Sequence, residues 1–430
     1  MDGWRAQLSA AMDVRDDERG ALVWSFAMFF AVLASYFTVR PVREAMGATL
    51  PKGDLAQLFT VVLLVMLALL PVFGFLATRL PRRLVLPAVY GFCISNLIAF
   101  SVLMRGETAP WIASTFFVWV SVYNLFVVSL FWSLMSRSWT SGQGKRLFGI
   151  IAAGGTAGAI VGPVLADRLV RVIGTANLAL VSAAFLTLAM VASFKLEAMA
   201  ARTEGAEVKP PMTMAAILEG ATRVIQSPYL GRIALFILLA NLVSTFFYLE
   251  QSRLVRETIA DPNDRVSFFA QRDQMVSFAT AAIQLFGTAR ILSTFGLTAA
   301  LATLPVVCIG GLLTIGAMPT LAVVAGVMVI ERIVAFSVAG PAMRVLYTVV
   351  DPDEKYKAQN FIDTVVYRGG DAASGWMFGY FGKTLGLTAV ATIAATLPFA
   401  ALWVFASLGL GRMHRAKAGE TITPSAPRGP

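Results

Sequence analysis

The stretch Arg40-Pro41-Val42-Arg43-Glu44 returns 213 residues later as Arg253-Leu254-Val255-Arg256-Glu257. The same spacing relates two other places in the chain, Phe73-Gly74 to Phe286-Gly287 and Phe148 to Phe361. Three separated matches at one spacing indicate a duplicated half and not chance. Each charged block ends a long apolar run, so the duplication puts four arginines at equivalent positions in two halves of the chain.

The composition is that of a membrane protein. The chain of 430 residues is 57% hydrophobic and 14% charged, and its mean hydropathy is +0.72. Soluble domains average about 45–50% apolar and about 25% charged residues. The net charge of +10 fits basic loops that set the orientation in the membrane. We therefore expect a lipid bilayer and a small solute as partners, and no nucleic acid.

The residues that usually carry catalysis or hold metals are scarce. Cys93 and Cys308 lie in apolar runs, and the single histidine, His414, lies near the C-terminus. No catalytic site, metal site or cofactor is predicted, and the protein is not expected to be an enzyme. The run Gly154, Gly158 and Gly162 lacks the Lys-Ser or Lys-Thr of a phosphate loop. Its four-residue spacing predicts close packing between helices instead.

Hydropathy predicts an all-α membrane protein with twelve spans in two six-helix halves. We divide the chain into an N-terminal half at 1–194, a cytoplasmic linker with an amphipathic helix at 195–229, a C-terminal half at 230–410 and a disordered cytoplasmic tail at 411–430. The spans are expected near 21–40, 55–78, 84–104, 110–135, 147–167, 174–194, 231–251, 271–289, 296–316, 319–343, 359–381 and 386–410. Most of the basic residues fall on the cytoplasmic side if both termini are cytoplasmic. A monomer in the bacterial inner membrane is expected.

The repeated arginines are candidates for an anion site. Arg40 and Arg43 are three residues apart and share a helix face, and Glu44 is four residues from Arg40. Arg253, Arg256 and Glu257 repeat this geometry. Arginine binds carboxylate and phosphate bidentately and keeps its charge. The competing interpretation is that the glutamates and arginines brace the helix ends.

The eleventh predicted span carries a polar stripe. Asn360, Asp363, Tyr367 and Asp371 follow helical spacing and are expected to line a pathway or gate. Arg368 reaches Asp371 across three residues, so a structural ion pair is the alternative. Glu331 and Arg332 in the tenth span, with Glu250 at the end of the seventh, are candidates for gating or coupling.

The chain resembles two groups of transporters at these motifs. Two parallel six-span halves, with the basic loop at 74–83, resemble the major facilitator superfamily. Lys357, Asp363 and Gly370 match the eleventh span of the nucleotide transporter family, the ATP/ADP antiporters. That family's first span also ends on bases, where Arg40 and Arg43 stand here. This resemblance implies nucleotide exchange, with Lys357 in the substrate site, but Asp371 stands where the family has a lysine.

We therefore expect a secondary active transporter of a small anionic solute, a nucleotide or another phosphorylated or carboxylated metabolite. The substrate-binding candidates are Arg40, Arg43, Arg253, Arg256, Lys357, Asp363, Tyr367 and Arg368. The gating or coupling candidates are Glu44, Glu250, Glu257, Glu331, Arg332 and Asp371. Two alternatives stay open: a proton-coupled exporter of drug-like or siderophore-like molecules, and a membrane-embedded lipid-handling protein or transferase.

Overall fold

A computed structural model describes residues 14–50, 54–79, 81–106, 108–200 and 214–422. Every regular element in these ranges is a helix, as the sequence predicts. The helices are α1 (Arg19–Thr49), α2 (Asp54–Arg79), α3 (Arg82–Leu103), α4 (Pro110–Ser138), α5 (Ser141–Ala200), α6 (Met214–Gln226), α7 (Pro228–Thr258), α8 (Pro262–Phe286), α9 (Thr288–Ala317), α10 (Leu321–Val334), α11 (Gly340–Leu346), α12 (Pro352–Phe361), α13 (Tyr367–Lys383) and α14 (Ala389–Ile422).

Twelve transmembrane passages are built from these helices. α5 contains the fifth and sixth, because Gly174 has φ 79° and breaks the helix into two arms. A left-handed backbone of this kind is readily adopted only by glycine. α10 and α11 form one passage joined by the π-helical turn Ala335–Ala339. α12 and α13 form another, joined by the π-helical turn Ile362–Val366.

Two passages differ from the others in polarity. Eight helices of the described residues are long and apolar enough to cross a membrane, and the 54-residue α5 stretch among them holds two passages. Three passages do not meet that criterion among the described residues: α2, whose apolar run Leu55–Leu69 is shorter, α8, and the α12–α13 passage. The last two carry charges near their middle, Arg272 and Asp273 in α8 and Arg368 and Asp371 in α13. Charges inside a bilayer cost free energy and usually serve a function, so these two passages are the strongest candidates for a functional site.

The described residues form two compact units. Unit 1 comprises the described parts of 14–49, 72–200 and 259–274. Unit 2 comprises the described parts of 50–71, 214–258 and 275–422. The first thirteen residues of α8 thus belong to unit 1 although α8 follows the linker in sequence. The proposed division of the chain at 194 and 230 concerns the sequence repeat and stays a prediction.

The core of unit 1 rests on the contact between α1 and α5. A Cβ atom on Gly154 would lie 2.5 Å from the carbonyl oxygen of Phe26, and one on Gly158 would lie 2.3 Å from that of Phe30. A Cβ on Gly162 would lie 2.8 Å from the carbonyl oxygen of Ala34. The two backbones therefore touch along three turns, which confirms that these glycines serve helix packing and not phosphate binding.

The linker and the tail contain helices. The predicted amphipathic helix is α6, which buries Gly220 and Val224 and leaves Leu218 and Ile225 exposed. Residues 201–213 of the linker lie outside the described residues. The prediction of a disordered tail from 411 is wrong for its first part, because α14 continues to Ile422. The segment after Gly411 is rich in good helix formers such as Met, Arg, Ala and Lys, which explains the extension.

Candidate functional site

Five charged side chains of unit 1 form what we call the unit 1 charge cluster: Arg40, Arg43 and Glu44 of α1, and Arg272 and Asp273 of α8. Asp273 accepts hydrogen bonds from Arg272 at 3.1 and 2.8 Å, and its other oxygen lies 3.5 Å from Nη1 of Arg40. Arg272 is 3% exposed and Asp273 is 1% exposed. One buried carboxylate is thus shared between guanidinium groups of two helices.

The other half of the cluster is centred on Arg43. Its Nη2 lies 3.3 Å from Oε1 of Glu44, which is fully buried. The guanidinium group also stacks over the ring of Phe117 from α4, with Cζ 4.6 Å from the ring centre. Glu44 thus forms an ion pair with Arg43 and is also an electrostatic neighbour of Arg40, the partner that sequence spacing predicted. Arg40 has a further partner in Asp273 of α8, which spacing along α1 does not reveal.

Sequence reasoning missed Arg272 and Asp273. They lie at the start of the eighth predicted span (271–289), and adjacent opposite charges in an apolar span are the signal that could have found them. Their importance depends on the contact with Arg40, which is remote in sequence.

In unit 2 the repeated arginines form different contacts. Arg253 binds Glu250 at 2.5 Å and Glu257 at 2.6 Å, so both carboxylates brace this helix end. Arg256 donates from Nη1 to the carbonyl oxygen of Leu50. The two arginine blocks are equivalent in sequence but not in their partners. Arg253 thus has the helix-end contacts with glutamates that were the competing interpretation of these residues. Arg256 instead binds a neutral acceptor.

A second group of polar residues in unit 2, the unit 2 polar site, joins three passages. Ser244 of α7 donates to Oε1 of Glu331 at 2.7 Å, and Glu331 is 6% exposed. Asn241, one turn away, donates to the backbone carbonyl of Tyr367 at 2.6 Å. Arg368 and Asp371 form an ion pair at 3.4 Å. Tyr367 has Asp371, Arg368, Arg332 and Glu331 as electrostatic neighbours.

Both π-helical turns lie beside this site. Ala335–Ala339 begins three residues after Arg332, and Ile362–Val366 directly precedes Tyr367. A π turn accommodates one extra residue, which rotates everything after it by about 100° relative to a regular helix. Such turns are frequent at functional sites.

The π turn at 362–366 changes the stripe predicted on the eleventh span. Asp363 is exposed and accepts a hydrogen bond from Gln359, and Arg344 is an electrostatic neighbour of opposite charge. Tyr367 and Asp371 instead lie with the charges of α10 and α13. The expected single stripe is therefore two separate groups, because the prediction assumed regular α-helical rotation.

Lys357 lies away from both groups. Its Nζ is 2.7 Å from Oε1 of Glu219 in the linker helix α6, and Gly220 of α6 packs against its backbone carbonyl. The resemblance to nucleotide transporters placed Lys357 in the substrate site, and the structure gives it a contact with the linker.

A buried carboxylate also links the start of α1 to α5. Glu18, just before α1, accepts hydrogen bonds from the backbone N–H of Arg15, from Gln143 at 2.9 Å and from Arg146 at 2.8 Å. Burial acts to raise the pKa of Glu18, but these three bonds together outweigh it and hold the pKa below its ordinary value of 4.5. The carboxylate therefore favours the folded state when it is charged.

We expect Glu18→Gln to lower the stability of the protein at pH 7 by about 1–3 kcal/mol, because Arg146 loses a charged acceptor. A lowered folded pKa means that the stabilisation is complete above pH 4.5 and is lost as the pH falls through the folded pKa. The unfolding temperatures of both proteins should therefore converge below pH 4.5. A difference that does not shrink at any pH below 4.5 at which the protein still folds would contradict this assignment.

No protein-family profile matches the sequence, and no curated protein matches it significantly. Three solved structures are similar to nearly the whole chain. A bacterial homologue of the human lysosomal transporter Spinster, inward-facing and unoccupied, has 12% identity and a TM-score of 0.60, with 94% of this chain and 99% of that chain covered. A bacterial homologue of the iron transporter ferroportin, inward-facing, has 13% identity and a TM-score of 0.63, with 91% and 98% covered.

The third is an auto-inhibited peptide transporter of the POT family, with 10% identity and a TM-score of 0.64 over 95% of this chain and 98% of that chain. The chain has the major facilitator fold. At these identities the similarity concerns architecture alone. The major facilitator fold confirms the predicted twelve-helix class, and the nucleotide transporter resemblance stays a prediction.

Proposed function

We propose that this protein is a secondary active transporter that moves a small anionic solute across a bacterial inner membrane by alternating access. The unit 1 charge cluster is the observation that carries the proposal. It holds three guanidinium groups and two carboxylates in the interior of a membrane protein. Intramembrane charges of this kind are costly and typically mark a solute pathway.

The charge balance of the cluster favours an anion. Arg40, Arg43 and Arg272 carry three positive charges, and Glu44 and Asp273 carry two negative charges. A phosphate or carboxylate group that enters can form bidentate bonds with a guanidinium group by displacing one of these carboxylates. The intramolecular ion pairs then hold the site together when no solute is bound.

The fold supports transport by alternating access, the mechanism of transporters with this architecture. In such proteins solute sites lie near the middle of the membrane, and the two halves rock around them. A nucleotide or another phosphorylated or carboxylated metabolite fits the predicted charge of the site. Tyr367, Arg368 and Arg332 of the unit 2 polar site are the further candidates for solute contact, because each lies close in sequence to one of the two π turns.

A second candidate is proton-coupled transport. Glu331 is buried and receives a hydrogen bond from the neutral hydroxyl of Ser244. A carboxylate in this setting can take up a proton during the cycle. Uptake that requires a pH gradient and is indifferent to solute inside the vesicles would favour this candidate over exchange.

The test is uptake into liposomes that contain the purified protein, with radiolabelled ATP, ADP, inorganic phosphate and citrate as separate probes. We expect one of these probes to accumulate. We expect the double variant Arg43→Ala/Arg256→Ala to reduce that uptake at least about tenfold, because hydrogen bonds between charged groups contribute most to such binding. The double variant should also have a lower unfolding temperature, because Arg43→Ala removes an ion-pair partner of the buried Glu44, so uptake is compared at equal amounts of folded protein.

Arg19→Ala is the matched control. Arg19 pairs with Asp16 at the exposed start of α1, and both side chains are well exposed, so uptake should be unchanged. Undiminished uptake in the double variant would refute the anion site.

A further inference from the structure

The start of α7 and the end of α14 form a basic surface in unit 2. We call it the basic patch and define it by four exposed residues, Arg232 of α7 and Arg412, Arg415 and Lys417 of α14. The sequence contains no acidic residue between 227 and 247 or between 402 and 419. The patch therefore brings together four positive charges to which the neighbouring turns of the same two helices supply no carboxylate.

A glycine places Arg232 against α14. A Cβ atom on Gly409 would lie 3.5 Å from Nη1 of Arg232, so the guanidinium group rests on a part of α14 that has no side chain. Arg412 lies one turn further along α14, and residues three apart in a helix are neighbours on its surface. The same two helices also pack together further along, where the rings of Phe236 and Trp403 meet edge to face with their centres 5.5 Å apart. Guanidinium groups of two packed helices thus approach the same place.

An aromatic ring fixes another side of the patch. Nζ of Lys417 lies 5.6 Å from the ring centre of Tyr229, which precedes Arg232 by three residues. Tyr229 is 1% exposed, and its hydroxyl donates to the backbone carbonyl of Leu346 at 2.7 Å. The ring is therefore held in place, and its face attracts the ammonium group. Lys417 is kept within one turn of Arg232 by this contact.

Apolar side chains continue from the patch along both helices. Leu235, one turn after Arg232, is 39% exposed, and Phe405 and Leu408, one to two turns before Arg412, are 70% and 36% exposed. Hydropathy predicts that the twelfth span ends near residue 410, so the bases of α14 lie just beyond the hydrocarbon of the membrane. The surface is therefore basic at the level of the lipid headgroups and apolar at the level of the acyl chains.

We propose that the basic patch binds the headgroup of an anionic phospholipid, whose acyl chains lie along Leu235, Phe405 and Leu408. Arginine binds a phosphate group bidentately, and the negative charge of the lipid offsets the repulsion among the four bases. Basic pockets between transmembrane helices are known to bind anionic headgroups. A phospholipid fits better than a soluble phosphate, because the apolar surface begins one turn from the arginines. The bound lipid joins α7 to the end of α14 and thereby stabilises unit 2.

Lipid binding is tested on the purified protein in detergent, to which dioleoylphosphatidylglycerol, dioleoylphosphatidylcholine or inorganic phosphate is added. The two lipids have the same acyl chains and differ in the charge of the headgroup. Native mass spectrometry should show one phosphatidylglycerol retained on the protein, and the unfolding temperature should rise by about 3–5 °C as that lipid saturates. Phosphatidylcholine and inorganic phosphate should have neither effect. An equal rise with phosphatidylcholine would refute the role of the charge, and an equal rise with inorganic phosphate would refute a lipid as the ligand.

Two arginine variants test the location of the site. We expect Arg232→Ala/Arg412→Ala to weaken the binding of phosphatidylglycerol by about tenfold or more, because it removes both bidentate donors. The control Arg223→Ala/Arg290→Ala removes two exposed arginines of the same unit, in α6 and at the start of α9, and should change the affinity by less than about twofold. An equal loss of affinity in both variants would show that net charge alone attracts the lipid, and the proposal would then be wrong.

Gly409→Leu tests the geometry while it keeps every charge of the patch. The added side chain occupies the place of the Arg232 guanidinium group, so we expect the affinity for phosphatidylglycerol to fall by about threefold or more. Gly419→Leu makes the same change in the same helix, where nothing lies within 4 Å of an added Cβ atom, and should leave the affinity unchanged. Undiminished affinity in Gly409→Leu would overturn the proposal, since attraction to the membrane surface alone does not depend on where Arg232 lies. No transported solute enters these measurements, so their result is independent of the proposed transport.

Discussion

Asp273→Ala is expected to destabilise the protein by about 3–5 kcal/mol and to abolish transport. The change removes the carboxylate that Arg272 binds at 2.8 Å and that lies 3.5 Å from Arg40. Breaking a buried ion pair from one side costs this much because the remaining charge stays in a medium that solvates it poorly. Here two buried guanidinium groups lose the same partner.

The matched control for this change is on the same helix. Asp264→Ala also removes an aspartate that pairs with an arginine, but Arg171 and Asp264 are exposed, so its effect should stay below about 1 kcal/mol. Thermal unfolding in detergent, followed by tryptophan fluorescence, measures both. If Asp273→Ala is too unstable to purify, Asp273→Asn is the substitute, because it keeps an acceptor oxygen without the charge. Its loss of stability should lie between those of Asp273→Ala and Asp264→Ala. Equal unfolding temperatures for Asp273→Ala and Asp264→Ala would show that the cluster does not stabilise unit 1.

The second large effect is expected for Gly158→Ala. A single methyl group at this position would lie 2.3 Å from the carbonyl oxygen of Phe30 and 2.9 Å from the backbone nitrogen of Ala34. Both obstacles are backbone atoms of α1, so no side-chain rotation can relieve the clash. The helices must separate along the whole contact, and we expect a loss of about 3 kcal/mol, at the upper end of the usual effect of overpacking.

Gly149→Ala is the control for Gly158→Ala. Gly149 lies in the same arm of α5, and nothing approaches within 4 Å of an added Cβ atom there. Alanine favours a helix over glycine by up to about 1 kcal/mol, so this variant should be as stable as the parent or slightly more stable. The two substitutions are chemically identical and differ only in what the methyl group meets. A similar decrease of the unfolding temperature in both would contradict the packing role of the glycines.

Several features of the fold could be predicted from the sequence. Local periodicity encodes the apolar runs and the spacing of Gly154, Gly158 and Gly162, because these depend on residues close together along the chain. The repeat around Arg40 and Arg253 is visible by comparing the sequence with itself. The helical class and the linker helix α6 follow from the same kind of signal. The tail was misjudged because its polarity was given more weight than its helix propensity.

The sequence could not predict which charges meet. Local spacing paired Glu44 with Arg40, whereas tertiary packing brings Asp273 to Arg40 from a helix more than 200 residues away in sequence. The stripe at Asp363 and Tyr367 was divided by a π turn, and hydropathy carries no information about one extra residue in a helical turn. Lys357 likewise has a linker residue as its partner.

The sequence by itself determined an all-helical, multi-pass membrane protein, and its repeated arginine block predicts that the chain is built from two duplicated halves. Local physical chemistry suffices for this, because hydrophobic length and periodicity decide where a helix crosses the bilayer. Only the tertiary structure decided that Arg40 shares Asp273 with Arg272 and that Arg253 is braced by two glutamates. Charges in a poorly solvating interior must find partners, and the partners available to them depend on which helix faces the fold brings together.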